Sequence, residues 1–394
     1  MKKAQTLLPL LALCSSAVLL SSSANAQAAY TPGSKLKACF IYVGPVGDYG
    51  WSNAHDAGRK AAMKAYPWLE TKFVEAVPEA QAEPYIDRYV KEGCNVIFTT
   101  SFGYMDATLA SAKKYPNVMF AHATGFQRLP NVLTYTADFY QLYYLNGMMA
   151  AALSKTGKLG YIGAFPIPEV KRHISAFALG ARAVNPKATV NVKWINAWFD
   201  PNAAKAATES LIAEGNDTFA FTEDTPTVMQ VAAKAGLNSF SHYSPMLKFA
   251  PNNTISGQLV DWGVLYKDVL GKVYSGKYSA KNLQNVDYWW LLSSKSVLLG
   301  ADFNLGINSK FRKQLQAVTV KTSDLGTQSV FSLVNKRLAQ MSMAKPTFDP
   351  FTGPIMDRKG VERVAKGKVA TVAELNSIQW AAQGVVGEWA DEPK

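Results

Sequence analysis

The sequence predicts an α/β fold built from two similar lobes, each a parallel sheet with helices on both faces. Three observations carry that expectation. Short apolar runs alternate with stretches of helical periodicity, the pattern of βαβ units. The alternation occurs as two consecutive series of similar length, one ending near residue 154 and the other near residue 274. Hydrophobic residues at 48% and a mean hydropathy of −0.05 describe a chain able to bury two cores.

In the first series, residues 37–43 read as a buried strand ended by Gly44-Pro45, and 55–66 as an Ala-rich helix. Strand 71–75 follows, then helix 83–92, with Pro84 tolerable in its first turn. Strand 95–99, helix 106–114, strands 117–121 and 131–135 and the apolar helix 140–154 complete it. The second series runs through strand 158–162, helix 169–184, strand 188–194, helix 203–214 and strand 218–222. It continues with helix 227–235, strands 237–241 and 254–260, and helix 264–274. After residue 280 the rhythm breaks: 286–292 is strand-like, 311–315 and 330–341 are helical, and 348–354 is a turn-rich loop. Such a tail can cross back over a hinge and pack on both lobes. The expected organisation is a leader at 1–26, a first lobe at 35–150, a second at 155–278, and a crossover with C-terminal extension at 280–394.

The leader reads as a secretory signal. Lys2 and Lys3 precede an apolar run at 7–20, and a Ser-rich stretch leads to the small-x-small site Ala24-Asn25-Ala26. Ser15, Ser16 and the serines at 21–23 leave that run too short and polar for a membrane span. Cys14 offers a lipoprotein anchor as an alternative, opposed by the bulky Leu13 before it, so a soluble periplasmic chain starting near Gln27 is expected. The formal charge is +12, and removing Lys2 and Lys3 leaves 39 basic against 29 acidic residues, a charge of +10. The basic residues are scattered, with no run of five, which points away from nucleic acid and toward solubility or attraction to an anionic surface.

Cys39 and Cys94 remain after the leader. In an oxidising compartment such a pair is commonly bridged; the alternative is two small buried apolar side chains. If 37–43 and 95–99 are neighbouring strands in a 2-1-3 order, the two cysteines lie near the same end of adjacent strands, within bridging reach.

Catalytic patterns are missing. His55, His122, His173 and His242 never pair at helical spacing, and there is no HExxH, no GxSxG and no GxxxxGK[ST]. Gly44-Pro45-Val46-Gly47 follows a strand without completing GxGxxG. No enzyme, metal or cofactor is expected. Aromatic residues stand out instead, at the carboxyl ends of strands, where open α/β sheets bind ligands. The first strand leads into Asp48, Tyr49 and Trp51, and the third into Phe102 and Tyr104. In the second series one strand leads into Trp198 and Phe199, another into Glu223 and Asp224, and Asp261 is a further polar candidate. Rings that stack and carboxylates that accept N–H groups suit a flat, nitrogen-rich heterocycle. The expected ligand set is Asp48, Trp51, Phe102, Tyr104, Trp198, Phe199, Asp224 and Asp261; for any one ring alone, core packing is the alternative.

Several stretches also resemble a known family. They are Gly44-Pro45-Val46-Gly47-Asp48-Tyr49-Gly50-Trp51, Thr99-Thr100-Ser101-Phe102-Gly103-Tyr104, residues 153–163, Pro168-Glu169-Val170-Lys171-Arg172, Trp198-Phe199-Asp200-Pro201 and Phe351-Thr352-Gly353-Pro354-Ile355. Together they are similar to the basic membrane protein, or PnrA-like, family of ABC-transporter substrate-binding proteins, across nearly the whole chain after the leader. The resemblance implies a type I periplasmic-binding-protein fold, two lobes joined by a hinge, and a monomer that serves the membrane subunits of an ABC importer. It also implies a purine nucleoside, or a free base such as adenine, sandwiched between Trp51 and Trp198. Asp48 matches the second Asp of a family motif whose first Asp is replaced by Gly47. In the segment 241–246, nucleoside binders tend to carry acidic residues for ribose hydroxyls, whereas Tyr243 and Pro245 stand here. A buried unpaired hydroxyl costs about 1–3 kcal/mol, so a free base is favoured over a nucleoside. The alternatives are another small solute on the same fold, such as a sugar, an amide or a flavin, and, further off, a sensor or enzyme.

Overall fold

The computed structural model describes residues 27–393. The expected leader at 1–26, with Cys14, lies outside the described residues. The chain opens with β1 (Leu36–Tyr42), α1 (Trp51–Ala65), β2 (Leu69–Val74), α2 (Ala82–Lys91), β3 (Val96–Thr100), α3 (Met105–Lys114), β4 (Met119–Ala123) and β5 (Val132–Ala137). After α4 (Tyr140–Leu153) come β6 (Lys158–Gly163), α5 (Pro168–Val184), β7 (Thr189–Trp194), α6 (Pro201–Ala213), β8 (Thr218–Thr222), α7 (Thr227–Lys234), β9 (Asn238–Tyr243) and β10 (Thr254–Val260). Then follow α8 (Trp262–Tyr274), β11 (Asp287–Trp290) and β12 (Val297–Leu299).

The first sheet runs β2-β1-β3-β4-β5-β11, all parallel. The second runs β7-β6-β8-β9-β10, also parallel, with β12 antiparallel on β10 and the short strand Val385–Val386 beside β7. Strands β1, β3, β6 and β8 are almost wholly buried, as sheets covered by helices on both faces require. Both sheets repeat one strand order, so each has a switch point beside its first strand, where a crevice opens at the carboxyl ends.

The chain passes between the sheets through α4, through α8, and again between β11 and β12. Helix α4 packs on α5, and Gly147 and Gly180 lie directly against the carbonyls of Phe177 and Tyr144. Helix α8 packs on α1, where a Cβ at Gly58 would lie 2.6 Å from the Trp262 Cβ. These contacts place α4 and α8 against the sheet opposite to the series in which the sequence sets them. Helix α4 falls before residue 154 but covers the second sheet, and α8 falls before 278 but covers the first. Periodicity reports the order of elements, not which sheet a helix covers. Of the tail, β11 extends the first sheet, while the helices Val330–Met341 and Val372–Asn376 pack on α4 and α5. No helix among the described residues is long and apolar enough to cross a membrane.

Cys39 in β1 and Cys94 just before β3 are fully buried and joined by a disulfide, with Cα atoms 5.9 Å apart. The bridge closes a loop with a sequence separation of 55. Replacing both cysteines with Ala is expected to lower the unfolding free energy by about 2–4 kcal/mol, read from denaturant melts. Thiol titration of unfolded, unreduced protein lacking residues 1–26 should find no free thiol; two would contradict the bridge.

Candidate functional site

The carboxyl ends of the two sheets face each other across a narrow pocket with a cavity volume of about 20 Å³. That is room for about one ordered water, well short of the roughly 300–1,000 Å³ of ligand sites, so a solute has to widen it to enter. The first lobe lines it with Val43, Trp51, Ser101, Phe102 and Thr124; the second supplies Glu169, Trp198, Asp224 and Tyr243.

Trp51 is the first residue of α1, four residues earlier than periodicity placed the helix start. The reason is Asp48. Its carboxylate accepts N–H groups from Gly50 at 2.7 Å and from Ser52 and Asn53 at 3.0 Å, satisfying donors that a helix start leaves free. The Trp51 indole N–H donates to the Thr100 carbonyl at 2.7 Å. His55, Tyr243 and Trp262 meet the ring edge-on, with centroids at 4.3, 5.2 and 5.7 Å. The platform is therefore held from several sides.

Phe102 follows β3 on a loop pinned by Glu79, whose Oε1 accepts from Ser101 Oγ at 2.5 Å and from the Gly103 N–H at 3.0 Å. The same oxygen accepts the Trp198 indole N–H from the opposite lobe at 3.3 Å. Trp198 precedes α6, whose start is set by the Asp200 carboxylate and by Pro201 in the first turn. The Trp198 carbonyl accepts the Asp224 N–H at 2.7 Å, tying two second-lobe turns together.

Of the sequence-derived set, Trp51, Phe102, Trp198 and Asp224 line the pocket. Four do not, and each has a physical reason. Asp48 is spent on the start of α1. Tyr104 turns into the first-lobe core and donates its hydroxyl to the Val77 carbonyl at 2.6 Å. Phe199, one residue beyond Trp198, points outward and is 42% exposed. Asp261 starts α8, accepting the Gly263 N–H at 2.8 Å.

Glu169, Thr124, Val43, Ser101 and Tyr243 were not anticipated as ligand-set members. Glu169 had a readable signal: it follows Pro168 at a helix start just beyond β6, the same kind of position as Trp51. Thr124 and Tyr243 are set apart by backbone, with φ of +58° and +59°. Left-handed conformations are unusual for non-glycine residues and gather at functional sites.

Burial dominates the electrostatics. It pushes the Asp48 carboxyl up to about 6, against the pull of three backbone N–H groups. Burial, reinforced by the Asp48 charge, raises Asp224 well above the usual range. Glu169 is raised by burial, with His173 and Arg172 opposing. A protonated carboxyl both donates and accepts, so these groups can match a heterocycle edge carrying N–H beside a ring nitrogen. No lysine or arginine is among the lining residues, so the pocket offers rings and carboxyl groups and nothing to balance an anion. Among the described residues, no group of three His, Cys, Asp or Glu side chains is placed to hold a metal ion.

The sequence profile described as "ABC transporter substrate-binding protein PnrA-like" matches residues 35–324. A purine-binding protein of Brucella abortus is 37% identical over 353 residues, which is 89% of this chain and 93% of the relative. A putative ABC transporter glucose-binding protein of Haloferax volcanii is 40% identical over 248 residues, 63% of each chain. Among solved structures, an ABC transporter solute-binding protein from Aeropyrum pernix K1 superposes with a TM-score of 0.65 at 16% identity, covering 78% of this chain and 91% of that one. Another, from Conexibacter woesei, gives 0.57 at 21% identity, covering 77% and 96%. At these identities the structures speak for the two-lobed fold alone. On its profile and on its likeness to a relative along almost its whole length, this chain belongs to the PnrA-like family of ABC transporter substrate-binding proteins.

Proposed function

We propose that the protein is a periplasmic binding component of an ABC importer, released from a leader at 1–26, that holds a purine-type ligand as a free base such as adenine. The observation that carries this reading is the composition of the pocket. Trp51 and Phe102 from one lobe oppose Trp198 and Tyr243 from the other, with Glu169 and Asp224 between them. Rings offer faces on which a flat base stacks, and the carboxyl groups offer partners to its N–H edge. Tyr243 lines the pocket in the segment where nucleoside binders tend to carry acidic residues for ribose hydroxyls, which favours a base over its nucleoside. The Brucella relative is named for purine binding and the Haloferax relative for glucose, which makes glucose the comparison to run.

Calorimetry on refolded, ligand-free protein should compare adenine, guanine and hypoxanthine with their nucleosides and with glucose. A free base should bind more tightly than its nucleoside. Tighter nucleoside binding would end the preference for the base, and no binding by any purine would end the purine reading.

Each stacking ring contributes on the order of 1–3 kcal/mol. Trp51→Ala or Trp198→Ala should therefore weaken binding roughly 5- to 150-fold, while Phe199→Ala, outside the pocket, should leave it unchanged. Glu169→Gln should weaken binding roughly 2- to 12-fold, the range for a hydrogen bond between neutral groups. Equal effects at Trp198 and Phe199 would show that the ring does not stack.

Binding should also take up protons. Where the lobes meet, the Asp48 and Glu169 carboxyls sit above their ordinary range because they are buried, and opening is expected to expose them to water. The bound form then holds protons that the open form releases, and affinity falls as pH rises through about 6. Calorimetry in buffers of different ionisation enthalpy should show net uptake at that pH. Zero or negative uptake would contradict this.

A further inference from the structure

The lobes meet at the first turn of α1. A helix start leaves N–H groups without intrahelical partners. Asp48, on the same lobe, takes those of Ser52 and Asn53. The Trp51 N–H goes elsewhere: it donates to Asp224 Oδ1 at 3.1 Å, from a residue 173 positions away on the other lobe. The contact is close because one side of it is bare backbone. A Cβ at Gly50 would lie 2.7 Å from Asp224 Cα and 2.8 Å from its Oδ1. Ser244, also on the second lobe, places Oγ 3.3 Å from the Gly50 carbonyl and 3.1 Å from Asn53 Oδ1, within reach to donate to either. Asp224 is 1% exposed, so its engaged oxygen is shielded from water.

We propose that Asp224 is a positioning residue that caps α1 across the cleft and latches the lobes together, with Gly50 as the gap that lets it reach. Its carboxylate meets the Trp51 N–H only when the lobes touch, so closure itself completes the helix start that carries the first-lobe platform. The inference rests on the two lobes and their contact, not on which solute is bound. It assigns one Asp224 oxygen to closure and leaves the other, with Glu169, to the pocket.

The closed population can be read without any ligand. In an Asn53→Cys/Ser244→Cys protein, whose new thiols face each other only in the closed form, the rate of crosslinking under mild oxidation reports that population. Adding Asp224→Ala should slow crosslinking at least about fivefold, equivalent to about 1 kcal/mol at 1.4 kcal/mol per factor of ten. Gly50→Ala should slow it as well, because the added methyl wedges the lobes apart. Asp224→Asn keeps an acceptor oxygen and should restore the rate to within about twofold of the parent. A rate unchanged by Asp224→Ala, or Asn as slow as Ala, would overturn the latch. With adenine as the probe, Asp224→Ala should raise the dissociation rate. If the parent binds no purine at all, the purine reading falls, while the crosslinking rates still decide the latch.

Discussion

The architecture depends on one buried ion pair. Asp138, at the point where the chain leaves the first sheet, is fully buried, and Arg172 on α5 is 3% exposed. Arg172 Nε donates to Asp138 Oδ2 at 2.6 Å, and its terminal nitrogen also reaches that carboxylate. Burial alone would raise the Asp138 carboxyl, but Arg172, with His173 beside it, more than offsets this and holds it far below the usual range. The other Asp138 oxygen accepts the Tyr140 N–H at 2.9 Å, at the start of α4. The Asp138 N–H donates to the Trp290 carbonyl at 2.8 Å, on the strand that returns to the first sheet. The guanidinium lies 5.1 Å from the Trp289 ring centroid, and one nitrogen reaches the Leu375 carbonyl of the tail at 3.4 Å. Removing one partner of such a pair costs about 3–5 kcal/mol, since the other is left charged and buried. Two of the three crossing segments are thereby tied to the second lobe. At the cleft mouth, among the described residues, the lobes share a few hydrogen bonds, those of Trp51, Ser244 and Trp198. A rigid hinge with a lightly bonded mouth is the condition for closure that can be undone.

Helix α5 connects hinge and pocket through one turn. Glu169 at its start lines the pocket, and Arg172 and His173, three and four residues on, face Asp138. Residues at that spacing share a helix face, so the Arg172 charge lies near Glu169. That charge is already taken up by Asp138, however, and it only partly opposes the burial that raises Glu169. The pocket is thus left with carboxyl groups and no free cation among its lining residues. A solute carrying a phosphate or carboxylate would meet uncompensated burial there.

Much of this was legible in the sequence. Alternating patterns yield both sheets, and the rule that ligands gather at strand carboxyl ends leads to Trp51, Phe102, Trp198 and Asp224. The misses share causes. Phe102 and Tyr104, or Trp198 and Phe199, stand in the same turns, and composition does not say which ring faces inward. Asp48 and Asp261 show the same ambiguity among carboxylates, because an acid that caps a helix looks like one that receives a ligand. The packing of α4 and α8 on the opposite sheet hinges on Gly147, Gly180 and Gly58, whose lack of a side chain allows close approach but names no partner. Nothing in a threonine or a tyrosine announces the left-handed backbone of Thr124 and Tyr243.

That backbone has a consequence for release. Tyr49 and Thr124 on the first lobe and Asn196 and Tyr243 on the second all have φ between +53° and +62°. Each such residue costs on the order of 1–3 kcal/mol unless surrounding contacts over-determine it. Here Tyr49 lies edge-on to Phe249 of the other lobe at 4.8 Å between centroids, with the Lys248 ammonium 4.1 Å from its ring. Tyr243 packs against Trp51, again across the cleft. The contacts that hold these conformations are partly contacts between lobes, so strain and closure are linked. The closed form also buries Asp48 and Asp224 near each other, two like charges whose proximity raises the Asp224 carboxyl beyond the effect of burial. Carboxylate burial opposes closure, and the latch at Gly50 opposes opening. A solute shifts such an equilibrium only by the difference in its affinity for the two forms. Contacts from both lobes supply that difference, so a ligand reaching Trp51 and Trp198 together selects the closed form, and one that reaches a single lobe does not.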